Sequence, residues 1–132
     1  VHAFDLDPSM IEETMCRAEV ARCLNINLCL RDFVADGTGL PDSFADYVML
    51  FNLLHAEHPE QLLQEAFRIL RTGGLLAIMH WNHDSDTPRG PSMDIRPKPD
   101  DCVRWATATG LTILFSHIDL PPYHYGIIAQ SG

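Results

Sequence analysis

The sequence predicts an α/β fold, a doubly wound and mainly parallel sheet that ends in an antiparallel hairpin. Short apolar runs alternate with amphipathic stretches of helical period, and the central run, Tyr47 to Leu54, is apolar almost throughout, as in a strand buried on both faces. The chain also closes on two extended runs separated by Pro-Pro-Tyr-His-Tyr-Gly at 121–126, which is turn chemistry. With 132 residues, 46% apolar and 20% charged, one domain can bury a core without disulfides or a structural metal.

Val1 to Leu6 reads as a strand handing over to a helix, with Asp7 as N-cap and Pro8 at the first helical position. Glu12 and Glu13 suit the positive end of that helix, and Ile11, Met15, Ala18, Ala21 and Leu24 recur along one face, so the helix is expected from Pro8 to Leu24. Asn25 to Val34 supplies a second strand, and Asp-Gly-Thr-Gly at 36–39 a loop. Tyr47 to Leu54 is the third strand. Pro59 opens a helix whose buried face is Leu62, Leu63, Ala66, Ile69 and Leu70, and Gly73 and Gly74 are expected to stop it. Leu75 to His80 is the next strand. Residues 82–99 hold four of the nine prolines and read as a long surface loop or lid. Pro99 starts a third helix that Gly110 ends, and Leu111 to Ile118 and Tyr125 to Ala129 are the closing strands.

Composition removes several functions. Eighteen acidic against nine basic residues give a formal charge of −9, which repels nucleic-acid backbones and anionic membranes. The apolar runs are far shorter than the ~20 residues of a spanning helix, and the start shows no signal-peptide pattern. The expectation is a soluble, cytoplasmic protein. Cys16, Cys23, Cys29 and Cys102 follow no paired spacing and are expected to be reduced and buried. The chain opens on Val1 directly into an apolar run, as a segment of something longer would.

In a doubly wound sheet, ligands sit beyond the carboxyl ends of the strands, which points to Asp5, Asp36, Phe51 to His55 and His80 to Asn82. Those strand ends, with Ala-Phe-Asp-Leu-Asp-Pro-Ser-Met at 3–10, Val-Ala-Asp-Gly-Thr-Gly-Leu-Pro at 34–41, Ser-Phe-Ala-Asp-Tyr-Val at 43–48, Leu-Phe-Asn-Leu-Leu-His at 50–55 and Glu-Ala-Phe-Arg-Ile-Leu-Arg-Thr-Gly-Gly-Leu-Leu at 65–76, resemble class I S-adenosylmethionine-dependent methyltransferases of the small-molecule type. The resemblance runs from that family's second strand to its C-terminus. It implies a Rossmann-like sheet, S-adenosylmethionine as cofactor, and methyl transfer to a small-molecule acceptor.

Carried over position by position, the resemblance gives Asp5 the ribose diol, Leu6 and Met10 the adenine face, and Asp36 with the Gly37 amide the adenine edge. Leu50, Phe51 and Asn52 fall where the family meets the methionine part of the cofactor. Read alone, Asp36 before Gly37 is equally a turn-former, and Leu6, Met10, Leu50 and Phe51 are equally core residues. Asp5 has less need of a structural role, because Asp7 already caps the helix.

His80, Trp81, Asn82, Tyr123 and Tyr125 are the polar and aromatic groups expected at the mouth, facing substrate. Any of His55, His80 or His124 can serve as general base, since imidazole titrates near neutrality, and each is also an ordinary pocket or turn histidine. Arg89, Asp94 and Arg96 either contact a polar substrate or solvate the loop. The His-x-x-His spacings 55/58 and 80/83 lack companion ligands, so no metal is expected.

The family's GxGxG turn after its first strand has no counterpart upstream of Asp5, so that central strand is expected to be absent from this chain. The alternative reading is therefore a non-catalytic binding or assembly module, a homodimer that exchanges strands across the missing centre. A nicotinamide-dependent oxidoreductase shares a carboxylate after a strand, but the terminal hairpin and the Asp36 loop argue against it.

Overall fold

The computed structural model describes residues 1–132, which form two units, Val1–Gly39 and Leu40–Gly132. In the first unit, β1 (His2–Asp5) pairs in parallel with β2 (Asn27–Leu30), Asp5 opposite Leu30, and α1 (Pro8–Val20) makes the crossover. Asp7 caps α1 as expected, accepting the Ser9 N–H at 2.8 Å and the Ser9 hydroxyl at 2.7 Å, which holds its carboxyl below the usual range. The helix stops at Val20, short of the expected Leu24. Arg22 takes a left-handed φ of 56°, and the Cys23 N–H returns to the Ala18 carbonyl. No α1 residue is buried, and Leu24 is 98% exposed, so the apolar face read from the sequence lies uncovered within this unit, whose two strands offer little area to cover a helix.

The second strand is also shorter than the expected 25–34. Asp32 accepts the Ala35 N–H at 3.0 Å and caps a single helical turn, α2 (Phe33–Asp36), so Asp36 closes a turn of helix instead of lying in open loop. Arg31 clamps the exit, donating to the carbonyls of Gly37 at 2.6 Å and Asp36 at 3.0 Å.

The second unit is a four-stranded mixed sheet of order β3-β4-β6-β5, built from β3 (Ala45–Phe51), β4 (Leu70–Trp81), β5 (Thr112–Leu120) and β6 (His124–Gln130). β3 and β4 are parallel, whereas β6 runs antiparallel to both β4 and β5, giving the expected C-terminal hairpin. Helices α3 (Pro59–Ile69) and α4 (Pro99–Thr109) pack with the sheet, α3 burying Leu62, Leu63, Ala66 and Ile69, and α4 burying Cys102 and Ala106. The cross-strand pairs Leu76–Ala129, Ile78–Ile127 and His80–Tyr125 form one continuous buried stripe, because residues opposite one another in an antiparallel pair share a face.

Three expectations are corrected here. β3 ends at Phe51, not Leu54, and it is not buried on both faces: it pairs with β4 alone, and Tyr47, Met49 and Phe51 are 42–50% exposed. Gly73 and Gly74 do not stop α3, which ends at Ile69. They lie inside β4, where the pairing jumps from Ala45–Leu70 to Tyr47–Leu75, and a Cβ on Gly74 would come within 2.8 Å of the Arg71 carbonyl oxygen. Finally, all four cysteines are free but only Cys102 is buried, and Cys16 and Cys23 are exposed.

Between β4 and α4, residues 82–98 contain no helix or strand. The segment is tied down from within by Arg96, 7% exposed, whose guanidinium donates to the carbonyls of Asn82 (3.0 Å), Asp84 (3.0 Å) and Pro91 (2.6 Å) and to the Thr87 hydroxyl (2.6 Å). No helix of the chain is long and apolar enough to cross a membrane.

Candidate functional site

At the carboxyl ends of β3 and β4 the second unit gathers Asn52, His55, His80, Trp81 and His124. Asn52 follows β3 directly and takes a left-handed φ of 56°, a conformation asparagine tolerates better than most residues, with its N–H bonded to the Met79 carbonyl at 2.8 Å. Its side-chain Oδ1 is buried and has no hydrogen-bond partner, and neither has the buried Nε2 of His124. An unsatisfied buried polar atom costs about 1–3 kcal/mol, so two of them at one end of a sheet mark a place built for something other than stability.

His80 ends the buried stripe of β4 and is fully buried. Its Nε2 lies 3.2 Å from His55 Nδ1, the two rings meeting edge to face with centroids 5.4 Å apart, and its Nδ1 lies 3.4 Å from the Trp81 carbonyl oxygen. Burial, helped by the nearby charge positions of His55, Arg96 and His124, pushes the His80 pKa down to about 4, so the ring is neutral at neutral pH. Burial also lowers the pKa of His55 and of His124. The Trp81 ring lies tilted against that of His124, with centroids 4.2 Å apart, and 6.4 Å from that of Tyr123, and the Asn82 N–H donates to the Tyr123 carbonyl at 2.8 Å, so the hairpin turn and the end of β4 are held together.

Trp81, Asn82 and Tyr123 are thus at least part exposed beside one another. Two of the expected mouth residues are elsewhere. Tyr125 is 1% exposed, its hydroxyl donating to the Pro97 carbonyl at 2.9 Å and lying 3.4 Å from Cys102 Sγ, and burial raises its pKa and pushes the Cys102 thiol up to about 11. His80 is likewise under the surface, its Nε2 facing His55. Both follow from an alternation with Ile78 and Ile127 that the sequence carries but that strand register had to reveal. An open cleft of about 600 Å³ lies beside the Tyr125 ring, bordered by Asn82, His83, Lys98, Asp100 and His117. Arg96 is committed to main-chain carbonyls and is not free for a substrate, whereas Arg89 and Asp94 are exposed. No three His, Cys, Asp or Glu side chains come together to hold a metal ion.

In the first unit, Asp5 ends β1 half-buried, one carboxylate oxygen accepting the Asp7 N–H at 2.9 Å, while Leu6 and Met10 beyond it are 64% and 47% exposed. Asp36 is exposed at the end of α2, and Gly37 has a φ of 62°. Of the remaining named positions, Leu50 is buried at 7% exposure and Phe51 is 42% exposed.

Residues 1–78 match the family model described as a methyltransferase domain. The chain belongs to this family. Over 81 residues the methyltransferase domain is 31% identical to a ubiquinone/menaquinone biosynthesis C-methyltransferase, UbiE, of Ruegeria sp. strain TM1040, a match covering 59% of this chain and 31% of the relative. The match thus spans about a third of the length of the curated relatives. In fold, the domain superposes over 100% of its length on 69% of a SAM-dependent methyltransferase from Aquifex aeolicus, with a TM-score of 0.85 at 18% identity. It also superposes over 98% of its length on 65% of the cyclase SpnF, with a TM-score of 0.80 at 12% identity. Likeness at such identities shows the fold alone, and the cyclase shows that this fold carries more than one chemistry.

Proposed function

We propose that this methyltransferase domain moves a methyl group from S-adenosylmethionine to a small-molecule acceptor. The observation that carries the reading is the match of residues 1–78 to the methyltransferase domain. Individual groups of the chain support this reading. The buried, unpartnered Oδ1 of Asn52 is an acceptor suited to an ammonium such as that of the methionine part. Asp5, with one oxygen on the Asp7 N–H, keeps acceptor capacity for a ribose diol. Asp36 and the Gly37 amide are assigned to the adenine edge, Leu6 and Met10 to its face, and Leu50 and Phe51 to the methionine part.

When bound, the cofactor supplies an electrophilic methyl group on a sulfonium. The chain then has to hold the acceptor close and in line and relieve it of a proton. Trp81 and Tyr123 offer aromatic surface for a compact, partly apolar acceptor, Asn82 a polar handle, and His55 and His124 the candidate bases, His80 being buried beneath His55. The net charge of −9 opposes a nucleic-acid acceptor or a membrane surface. The relative UbiE is a ubiquinone/menaquinone biosynthesis C-methyltransferase, which supports a small-molecule acceptor.

The test is calorimetric titration with S-adenosylhomocysteine. Binding that Asp5→Ala and Asp36→Ala each weaken at least tenfold supports the reading, and a folded sample that takes up no ligand overturns it.

One observation favours a second reading, an assembly module that pairs with another copy of itself. β3 hydrogen-bonds to a neighbour on one side only and exposes Tyr47, Met49 and Phe51, the kind of edge that recruits another strand. Concentration-dependent dimerisation that Met49→Lys suppresses supports this homodimer, and a monomer at all concentrations in light scattering removes it.

A further inference from the structure

We infer that His55 is the general base of this domain and that His80 is the positioning residue that fixes its tautomer, through a one-way chain of hydrogen bonds from His55 to the Trp81 carbonyl. The inference rests on the methyl-transfer reading for its purpose, but its geometry is a property of the second unit alone.

A carbonyl oxygen only accepts, so the His80 nitrogen facing the Trp81 carbonyl, Nδ1 at 3.4 Å, carries a proton. A neutral imidazole has one N–H, and full burial keeps His80 neutral, so its Nε2 is left with a lone pair. That lone pair faces His55 Nδ1 at 3.2 Å, which must then be the donor. The remaining nitrogen of His55, Nε2, is a lone pair with nothing to do inside the fold.

His55 is suited to use it. It is part exposed in the loop that follows β3, three residues after the orphaned Asn52, whereas His80 is inaccessible. His124, the third candidate, has its Nε2 buried and its ring against Trp81. The proton of an acceptor O–H or N–H passes to His55 Nε2, and the electron pair of the broken bond stays on the acceptor atom. The resulting imidazolium keeps its Nδ1–H on the His80 lone pair, which stabilises the new charge. The groups facing the pair are the Trp81 carbonyl, Arg96 from the 82–98 segment, and His124 and Tyr125 from β6. None is a carboxylate, so nothing holds the pair protonated at rest.

The tautomers are read directly by long-range ¹H–¹⁵N spectra of the histidine rings in the protein without ligand. Expected are Nδ1–H forms for both His55 and His80 near neutral pH. An Nε2–H form of His55 overturns the inference. His80→Leu, which removes the lone pair, is expected to release His55 from the Nδ1–H form, and His80→Gln, whose amide oxygen can accept in its place, to restore it. Retention of the Nδ1–H form in His80→Leu overturns the positioning role, and both variants are checked for folding by the dispersion of the same spectra. Modification by diethyl pyrocarbonate, mapped by mass spectrometry, adds a chemical readout: His55 is expected to react several-fold faster than His80 and His124, and equal or slower reaction overturns its assignment. All of these readouts are independent of cofactor binding, so they fail or succeed separately from the methyl-transfer reading.

Discussion

The Arg96 guanidinium donates to the Asn82 carbonyl at 3.0 Å, joining the far end of the 82–98 segment to the residue where β4 hands over to it. Together with its bonds to Asp84, Thr87 and Pro91, this makes a proline-rich stretch without regular structure into a closed ring around one buried cation. Gly90 belongs to the same knot, since a Cβ there would lie 3.0 Å from both the Arg96 guanidinium and the Trp81 ring.

Arg96→Lys is therefore not conservative. A lysine has three donors on one nitrogen and cannot span the carbonyls of Asn82 and Pro91 together, so buried acceptors lose their partners. The expected cost is roughly 1–3 kcal/mol, concentrated in the segment. Hydrogen exchange is expected to accelerate at least tenfold across 82–96, with faster proteolytic cleavage there. Unchanged exchange in the variant would show that the prolines alone hold the segment.

Stability is expected to fall with pH on the acid side of neutrality. His80 has a native pKa of about 4 against 6.5 unperturbed, so between these values the unfolded chain binds the proton more readily than the folded one. Its contribution is fully present above pH 6.5 and is lost as pH falls toward 4, up to about 3 kcal/mol. His55 and His124 shift in the same direction and add to the loss. The lowered carboxylates Asp7, Asp94 and Asp101 titrate below 3.8, outside this window. Urea midpoints at pH 7.5 and pH 4.5 measure the drop, and His80→Gln is expected to flatten it. A midpoint that rises on acidification contradicts the buried neutral ring.

Gly74→Ala is expected to cost about 1–3 kcal/mol by overpacking. Its Cβ would sit 2.8 Å from the Arg71 carbonyl and 3.2 Å from that of Ala45, both main-chain atoms that cannot swing aside. At Gly73 the space is open but φ is 78°, so Gly73→Ala destabilises through backbone strain instead. Thermal melts of the two variants check this, and a stabilised Gly74→Ala would mean that the irregularity in β4 relaxes.

The order of elements apart from α2, the Asp7 cap, the Pro59 and Pro99 helix starts and the closing hairpin were legible because each rests on a local signal. What was not legible depends on pairing. Gly73 and Gly74 read as a helix stop because two glycines end helices more often than they interrupt strands, and only the opposition of Leu75 to Tyr47 shows where they lie. Tyr47, Met49 and Phe51 read as buried because burial depends on neighbours that a run of apolar residues does not name. In the candidate site, His55 and His80 were both visible as histidines at strand ends, but their partnership across 25 residues was not. Arg96 reads as a substrate contact or a solvated loop residue, since nothing local to it predicts a buried guanidinium. The left-handed Asn52 carried a faint signal, an asparagine directly after a strand.

That asparagine separates function from stability. Asn52→Gly keeps a residue at ease with a φ of 56° and deletes the buried Oδ1 that has no partner. Losing an unsatisfied acceptor offsets the added backbone freedom, so stability is expected to change by less than about 1 kcal/mol. Affinity for S-adenosylhomocysteine is expected to fall about tenfold, the loss of one hydrogen bond to a charged group. Asn52→Ala loses the same acceptor and adds left-handed strain of about 1 kcal/mol, so it should match the glycine variant in affinity while melting lower. Calorimetry and thermal melts on the pair decide the matter. If Asn52→Gly binds as tightly as the parent, Oδ1 meets no ligand, and its burial without a partner is a cost the fold carries for another reason.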